Sequence, residues 1–350
     1  MQVTEFLKRA VEDCASDLFI LAGSPVLEKK DRHIVPLTER QMSPEETKQL
    51  IWEIYSLAER GRGIYERTGD DDFSFAIAGL ARFRVNAYRQ RGSLAAVIRV
   101  VAFDIPDWNK LQIPEEIMKL ANLADGLILV TGTAGSGKST TQACLIDRIN
   151  DTKEAHIVTL EDPIEYLHTH KKSIISQREI SIDTEDYISA LRACLRQAPD
   201  VILMGEMRDA ETIRTAMTAA ETGHLVIGTL HTKGAVNTID RILDSFPSEQ
   251  QAQVRVQLSM VLRTVVSQQL VPGKDGGLIP AFEIMHVDHA IRNMIRDNKN
   301  HQINNAIVAG GDNGMVTMDR YLLNLYEQNI IDKQTLFDYC DNQEAIKKKV

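Results

Sequence analysis

The stretch Val130-Thr131-Gly132-Thr133-Ala134-Gly135-Ser136-Gly137-Lys138-Ser139-Thr140 decides how this 350-residue chain is read. Just before it, Leu127-Ile128-Leu129-Val130 is a short apolar run that suits a strand buried on both faces. Gly132, Gly135 and Gly137 let the backbone curl so that successive N–H groups converge on one point. Lys138 and Ser139 then open a helix whose positive dipole end faces the same point. The spacing G-x-x-x-x-G-K-S is that of a P-loop, in which the lysine reaches the β- and γ-phosphates and the serine ligates Mg²⁺. Gly132 through Thr140 is therefore the expected binding segment for a nucleoside triphosphate.

Downstream, three apolar runs each deliver acids or a histidine at their ends. A strand at 155–160 leads into Glu161-Asp162-Pro163-Ile164-Glu165, and one at 200–204 leads into Gly205-Glu206. A third, at 224–229, lies between His224 and His231, and helices are expected at 186–196 and 209–221. In an open parallel α/β sheet the ligand sits beyond the carboxyl ends of the strands, where these groups would collect. Phosphoryl transfer to water needs Mg²⁺, neutralising charge and a group that orients or deprotonates the water. Many P-loop enzymes place two acids after the corresponding strand; here Gly205 takes the place of one, so Glu206 is the candidate base. Asp162 and Glu165 either support Mg²⁺ through water or cap a helix. His224 and His231 are either structural or sensors of the bound nucleotide.

Upstream, residues 1–103 carry no nucleotide motif and read as a small mixed domain. A helix is expected at 4–13, a strand at 17–21, and a second helix from the Ser43-Pro44-Glu45-Glu46 start to about Arg60. Phe73-Ser74-Phe75-Ala76-Ile77 and Arg82-Phe83-Arg84-Val85-Asn86-Ala87 alternate as half-buried strands. That alternation leaves Arg82, Arg84 and Asn86 on one face, with Arg99 near the end of the next strand. These arginines are either a solvated face or reach toward phosphates, as arginine fingers do. Prolines 106 and 114 bracket an expected linker at 104–114, followed by the nucleotide domain at 115–350.

The composition narrows the class. Apolar content of 43% and charged content of 25% are those of a globular protein with a sizeable core. No run approaches the roughly 18 apolar residues of a membrane span, and no signal-peptide core is expected. A net charge of −9 with 5% aromatics argues against a nucleic-acid platform, which needs a basic groove and stacking rings. The four cysteines are far apart and are expected to be reduced thiols in the cytoplasm.

Taken together, Gly132 to Thr140, Leu160 to Glu165, Met204-Gly205-Glu206-Met207-Arg208-Asp209 and Thr222-Gly223-His224 through Thr232 resemble four boxes of one family. They are the Walker A, Asp, Walker B and His boxes of the type II/IV secretion system ATPases. One stretch, Ala290-Ile291-Arg292-Asn293-Met294-Ile295-Arg296-Asp297, resembles the motif of the branch that retracts type IV pili. The resemblance implies an α/β fold: a RecA-like P-loop domain with a mainly parallel sheet and a C-terminal helical region, preceded by a smaller PAS-like α+β domain. It also implies ATP and Mg²⁺ as ligands, Glu206 as catalytic glutamate, and Glu165 near the metal and the attacking water. His224 and His231 would contact or sense the γ-phosphate, and Arg82, Arg84 and Arg99 would close onto nucleotide. The expected assembly is a homo-hexameric ring at the cytoplasmic face of the inner membrane, against a platform protein and without nucleic acid. A retraction-like paralogue or another secretion-type ATPase is the alternative; a nucleic-acid translocase is a more distant one. Secretion and extension relatives usually carry a long extra N-terminal region and a four-cysteine zinc site, neither of which is seen here. The helix at 290–297 places Ala290, Ile291, Met294 and Ile295 on one apolar stripe, which is either a plain core helix or a device specific to retraction.

Overall fold

Ser43 starts a helix by reciprocal capping: its hydroxyl accepts from the Glu46 N–H at 3.2 Å, and the Glu46 carboxylate accepts from the Ser43 N–H at 2.9 Å. The helix runs Pro44–Leu57 and, with the helix Val3–Glu12, covers one antiparallel sheet. In this computed structural model, which describes every residue except Met1, Asp31, Arg32, Ala102, Phe103 and Asp104, the sheet has six strands. They are β1 (Asp17–Ile20), β2 (Leu27–Lys30), β3 (His33–Pro36), β4 (Asp70–Ile77), β5 (Ala81–Gln90) and β6 (Ser93–Val101), in the order β3-β2-β1-β6-β5-β4. Phe73, Phe75, Phe83, Val85 and Ala87 face the core with Phe6, Leu7, Ile51 and Ile54, as the alternation requires. The β2–β3 hairpin is not evident from sequence, because all four residues of β3 are exposed and leave no alternation to read. Buried Asp71 is held by the Tyr55 hydroxyl at 3.1 Å and by Arg60 at 2.9 Å, so its charge is satisfied in place.

The chain divides into two units, residues 1–104 with Glu165–Leu167, and Ile105–Ile164 with His168–Val350. The second is built on seven strands: β7 (Gly126–Thr131), β8 (His156–Glu161), β9 (Ile174–Glu179), β10 (Val201–Met204), β11 (Leu225–Leu230), β12 (Leu262–Pro272) and β13 (Leu278–His286). Their order is β13-β12-β7-β11-β10-β8-β9, parallel from β12 to β9, with β13 antiparallel at one edge. Along β7, Leu127 and Leu129 join one core cluster while Ile128 and Val130 join another, which is why the run is apolar without a gap. The second of these faces is covered by the P-loop helix Lys138–Thr152 and the first by helices including Ala210–Glu221 and Ala235–Asp244. A doubly wound α/β sheet results, and it leaves the strand ends of β7, β8, β10 and β11 together at one rim.

Within the expected linker at 104–114, Asp104 lies outside the described residues, and from Ile105 onward the chain groups with the second unit. Ile105, Trp108, Leu111 and Ile113 pack on the nucleotide-domain core, and the Cys144 thiol donates to the Pro106 carbonyl at 3.3 Å. Two prolines signal an irregular path; along it Ile113 is buried and Ile105, Trp108 and Leu111 are half-buried, while Asp107, Asn109, Lys110 and Gln112 are exposed. At the other end, Leu322, Leu323, Ile331 and Leu336 close a helical region over Val271 and Ala281 of β12 and β13. Among the described residues, no helix is long and apolar enough to cross a membrane.

Candidate active site

Gly132 leaves β7 with φ +141°, where a Cβ would stand 2.1 Å from the Gln268 carbonyl oxygen and 2.6 Å from the Ser136 hydroxyl. Only glycine lets the loop pass that close to β12. Gly137, at φ +87°, precedes the helix that Lys138 begins. Gln268 was not singled out from the sequence, yet its Oε1 accepts from the Thr141 hydroxyl at 2.7 Å inside the core. Its Nε2 stands 2.9 Å from where a Cβ on Gly137 would be. Strand β12 thus braces both ends of the cradle. Lys138 is buried, and its Nζ donates to the carbonyls of Gly132 and Thr133, each at 2.9 Å. Thr133, Ala134 and Gly135 form the exposed crest; Ser139 and Thr140 are half-buried in the first helical turn.

Glu206 follows β10 by two residues. Its Oε2 accepts from Arg208 at 2.6 Å, and its Oε1 lies 3.1 Å from His231 Nε2. The Arg208 hydrogen bond, helped by His231, holds the Glu206 carboxyl below the usual carboxylate range even though burial opposes this. A side chain at Gly205 would be crowded, since a Cβ there would meet the Tyr187 hydroxyl at 2.9 Å and the Leu160 carbonyl at 3.2 Å. Burial pushes the Tyr187 hydroxyl upward, and the charges of Asp162, Glu206 and Glu161 add to the effect.

The two histidines part company. β11 consists of the residues between them, so His231 stands at the rim while His224 lies at the opposite edge of the sheet, about 20 Å away for six extended residues. His224 Nδ1 is 2.9 Å from the Ala219 carbonyl, and the His224 carbonyl accepts from the Gly126 N–H. The expectation that both histidines meet the γ-phosphate is corrected for His224 within one chain: a strand runs in one direction, and its two ends face opposite edges. The capping alternative for Asp162 and Glu165 also fails, since 162–165 begins no helix. Asp162 is exposed beside the end of β8, and Glu165 groups with the first unit. In that unit Arg82, Arg84 and Asn86 do share one face of β5. Arg84 and Arg99 are cross-strand partners, and Arg99 donates to Asp17 at 3.0 Å.

Among the described residues, no group of three or more His, Cys, Asp or Glu side chains gathers as a metal cage. Beside the cradle a pocket of about 270 Å³ is lined by Leu111, Ile113, Thr140, Leu270 and Ile279. Apolar walls next to a phosphate cradle fit a flat heteroaromatic base. A larger groove of about 830 Å³ lies on the first unit around Trp52 and Arg62, and none of the phosphate-binding residues lines it.

The helix His289–Arg296 buries Ile291 and Ile295 fully and Met294 in part. Ala290 is exposed, so it leaves the expected apolar stripe. Asp288 caps the helix by accepting from the Ile291 N–H at 2.8 Å, and this fixes which residues turn inward. Arg296 is exposed and donates to Asn293 at 2.8 Å; Asp297 ends the helix. Arg292 is half-buried.

Residues 2–310 match the model of the type II/IV secretion system protein family. The chain is 44% identical over 334 residues to the type IV pilus retraction ATPase PilT of Pseudomonas aeruginosa, covering 95% of this chain and 96% of that one. It is 36% identical to the type IV pilus ATPase PilU of the same species, covering 98% and 89%. A crystal structure of the pilus retraction motor PilT with bound ADP superposes with a TM-score of 0.92 at 45% identity, covering 99% of each chain.

Proposed function

The chain belongs to the type II/IV secretion system protein family, and on that premise we propose that it is a motor ATPase whose hydrolysis of ATP powers type IV pilus retraction and twitching motility. One observation carries the reading: the likeness to a retraction ATPase covers 95% of the chain rather than the nucleotide core alone. Identity to the PilU relative is lower, 36% against 44%, and so favours the retraction motor.

In this reading the loop amides of Gly132 to Thr140 and the Lys138 ammonium take the phosphates, and the base lies in the pocket beside Leu111 and Ile279. Glu206, whose ionised form Arg208 favours, orients the attacking water and accepts its proton. His231, beside Glu206, senses whether the γ-phosphate is present. Ser139 would hold Mg²⁺, with Asp162 and Glu165 acting through water; the ion neutralises phosphate charge. Six copies form a ring on the cytoplasmic side of the inner membrane against a platform protein, and Arg82, Arg84 and Arg99 supply charge to nucleotide bound by a neighbouring copy. Glu206→Gln should bind MgATP normally and turn over at least about a hundredfold more slowly, whereas Lys138→Ala should lose both binding and turnover. Calorimetric binding beside steady-state phosphate release separates the two. Wild-type turnover in Glu206→Gln would remove Glu206 as the base.

A further inference from the structure

Glu283 is a buried carboxylate with no ion pair among the described residues. It sits on β13, only 4% exposed, and burial pushes its pKa upward. Its two oxygens go to two helix beginnings. Oε1 accepts from the N–H of Ala235 at 2.7 Å and Oε2 from the N–H of Met318 at 3.4 Å. The first of these helices, Ala235–Asp244, has Gly234 at its cap position and so has no capping side chain of its own. The missing acceptors come from the sheet. Ser267, the cross-strand partner of Glu283, accepts from the Gly234 N–H at 2.9 Å. Next to Ser267 on β12 is Gln268, which braces the phosphate cradle. The helix so capped begins four residues after His231, whose ring lies 3.1 Å from Glu206. The second helix, Met318–Glu327, opens the C-terminal helical region and already has its own cap in Thr317. Lys233, Gly234, Met318 and Asp341 line one small cleft with Thr133 of the cradle, so the C-terminal region meets the His231 loop at the phosphate end of the sheet.

A buried carboxylate is costly unless each oxygen is satisfied by a donor, and a core of this kind could cap one helix with a neutral hydroxyl. An acid that spans two helix starts gives instead a single rigid link between them, drawing on the partial positive charge of both N-termini. We propose that Glu283 is a positioning residue for hydrolysis, fixing the loop that carries His231 beside Glu206 and tying that loop to the C-terminal helical region. The proposal rests on the reading of Glu206 and His231 given above.

The test is a double-mutant cycle in the full-length protein, with kcat, MgATP affinity and thermal melting read for every variant. Glu283→Gln keeps the shape and one acceptor but loses the charge. It should lower kcat about tenfold while MgATP affinity stays within about twofold. In a His231→Ala background the same substitution should lower kcat by less than about threefold, because its route is already cut. Equal losses in both backgrounds, or a loss of affinity that matches the loss of kcat, would overturn the positioning role. Where Glu283→Gln melts too early to assay, Ser267→Ala leaves Glu283 in place and removes only the neighbouring cap. It should show the same pattern at smaller size, and an unchanged kcat there would also count against the proposal. Normal turnover by Glu206→Gln would fail the underlying hydrolytic reading instead, a separate and distinguishable result.

Discussion

Arg208 donates to Glu206 at 2.6 Å, two residues along the same turn, and so favours its ionised form further. A depressed carboxyl pKa means that the ionised form persists to lower pH, and its contribution to stability is lost only as pH falls through that folded-state value. The same sign applies to catalysis, since a base must be ionised. Removing the guanidinium in Arg208→Gln therefore moves the acid limb of the kcat/KM profile upward in pH. A pH–rate profile of both proteins checks this, and an unmoved limb would mean that Arg208 does not tune Glu206. Lys138 and Ser139 could be singled out in the sequence because they sit at fixed places in G-x-x-x-x-G-K-S, and Glu206 because it follows an apolar strand. Gln268 and Glu283 could not, since they act on groups 127 and 48 residues away and no local pattern marks them. His224 misled for a related reason: sequence shows that it borders a strand, but not which rim that border occupies.

At the scale of elements, the P-loop strand and helix, the capped helix at Ser43 and the alternating β4 and β5 could be read directly, since periodicity and caps are local signals. The exposed β3 and the irregular 105–113 segment could not, because their placement depends on what they pack against. The helix His289–Arg296 shows what this changes for experiment. Ile291 is fully buried in the main core cluster, so Ile291→Ala should cost about 3 kcal/mol whatever the helix does for the motor. A polar residue there would report misfolding rather than uncoupling. Met294 is only partly buried, so Met294→Gln should leave melting and ATPase rate near wild type. If the helix couples hydrolysis to retraction, that variant loses twitching and accumulates surface pili. Comparing ATPase rate with motility in the same variant decides the matter, and retained motility would return the helix to the role of plain core packing.

At the scale of the whole molecule, the second unit's parallel sheet brings the phosphate cradle, Glu206 and His231 to one rim, while β12 and β13 link that rim to the C-terminal helices. The central claim is that turnover at Glu206 drives pilus retraction. The most direct measurement replaces the chromosomal copy with Glu206→Gln in the cells that make this protein and scores surface pili and twitching together. The account predicts cells that keep or accumulate pili and no longer move, while the purified variant still binds MgATP. Normal twitching in those cells, or pili that vanish along with it, would contradict the account.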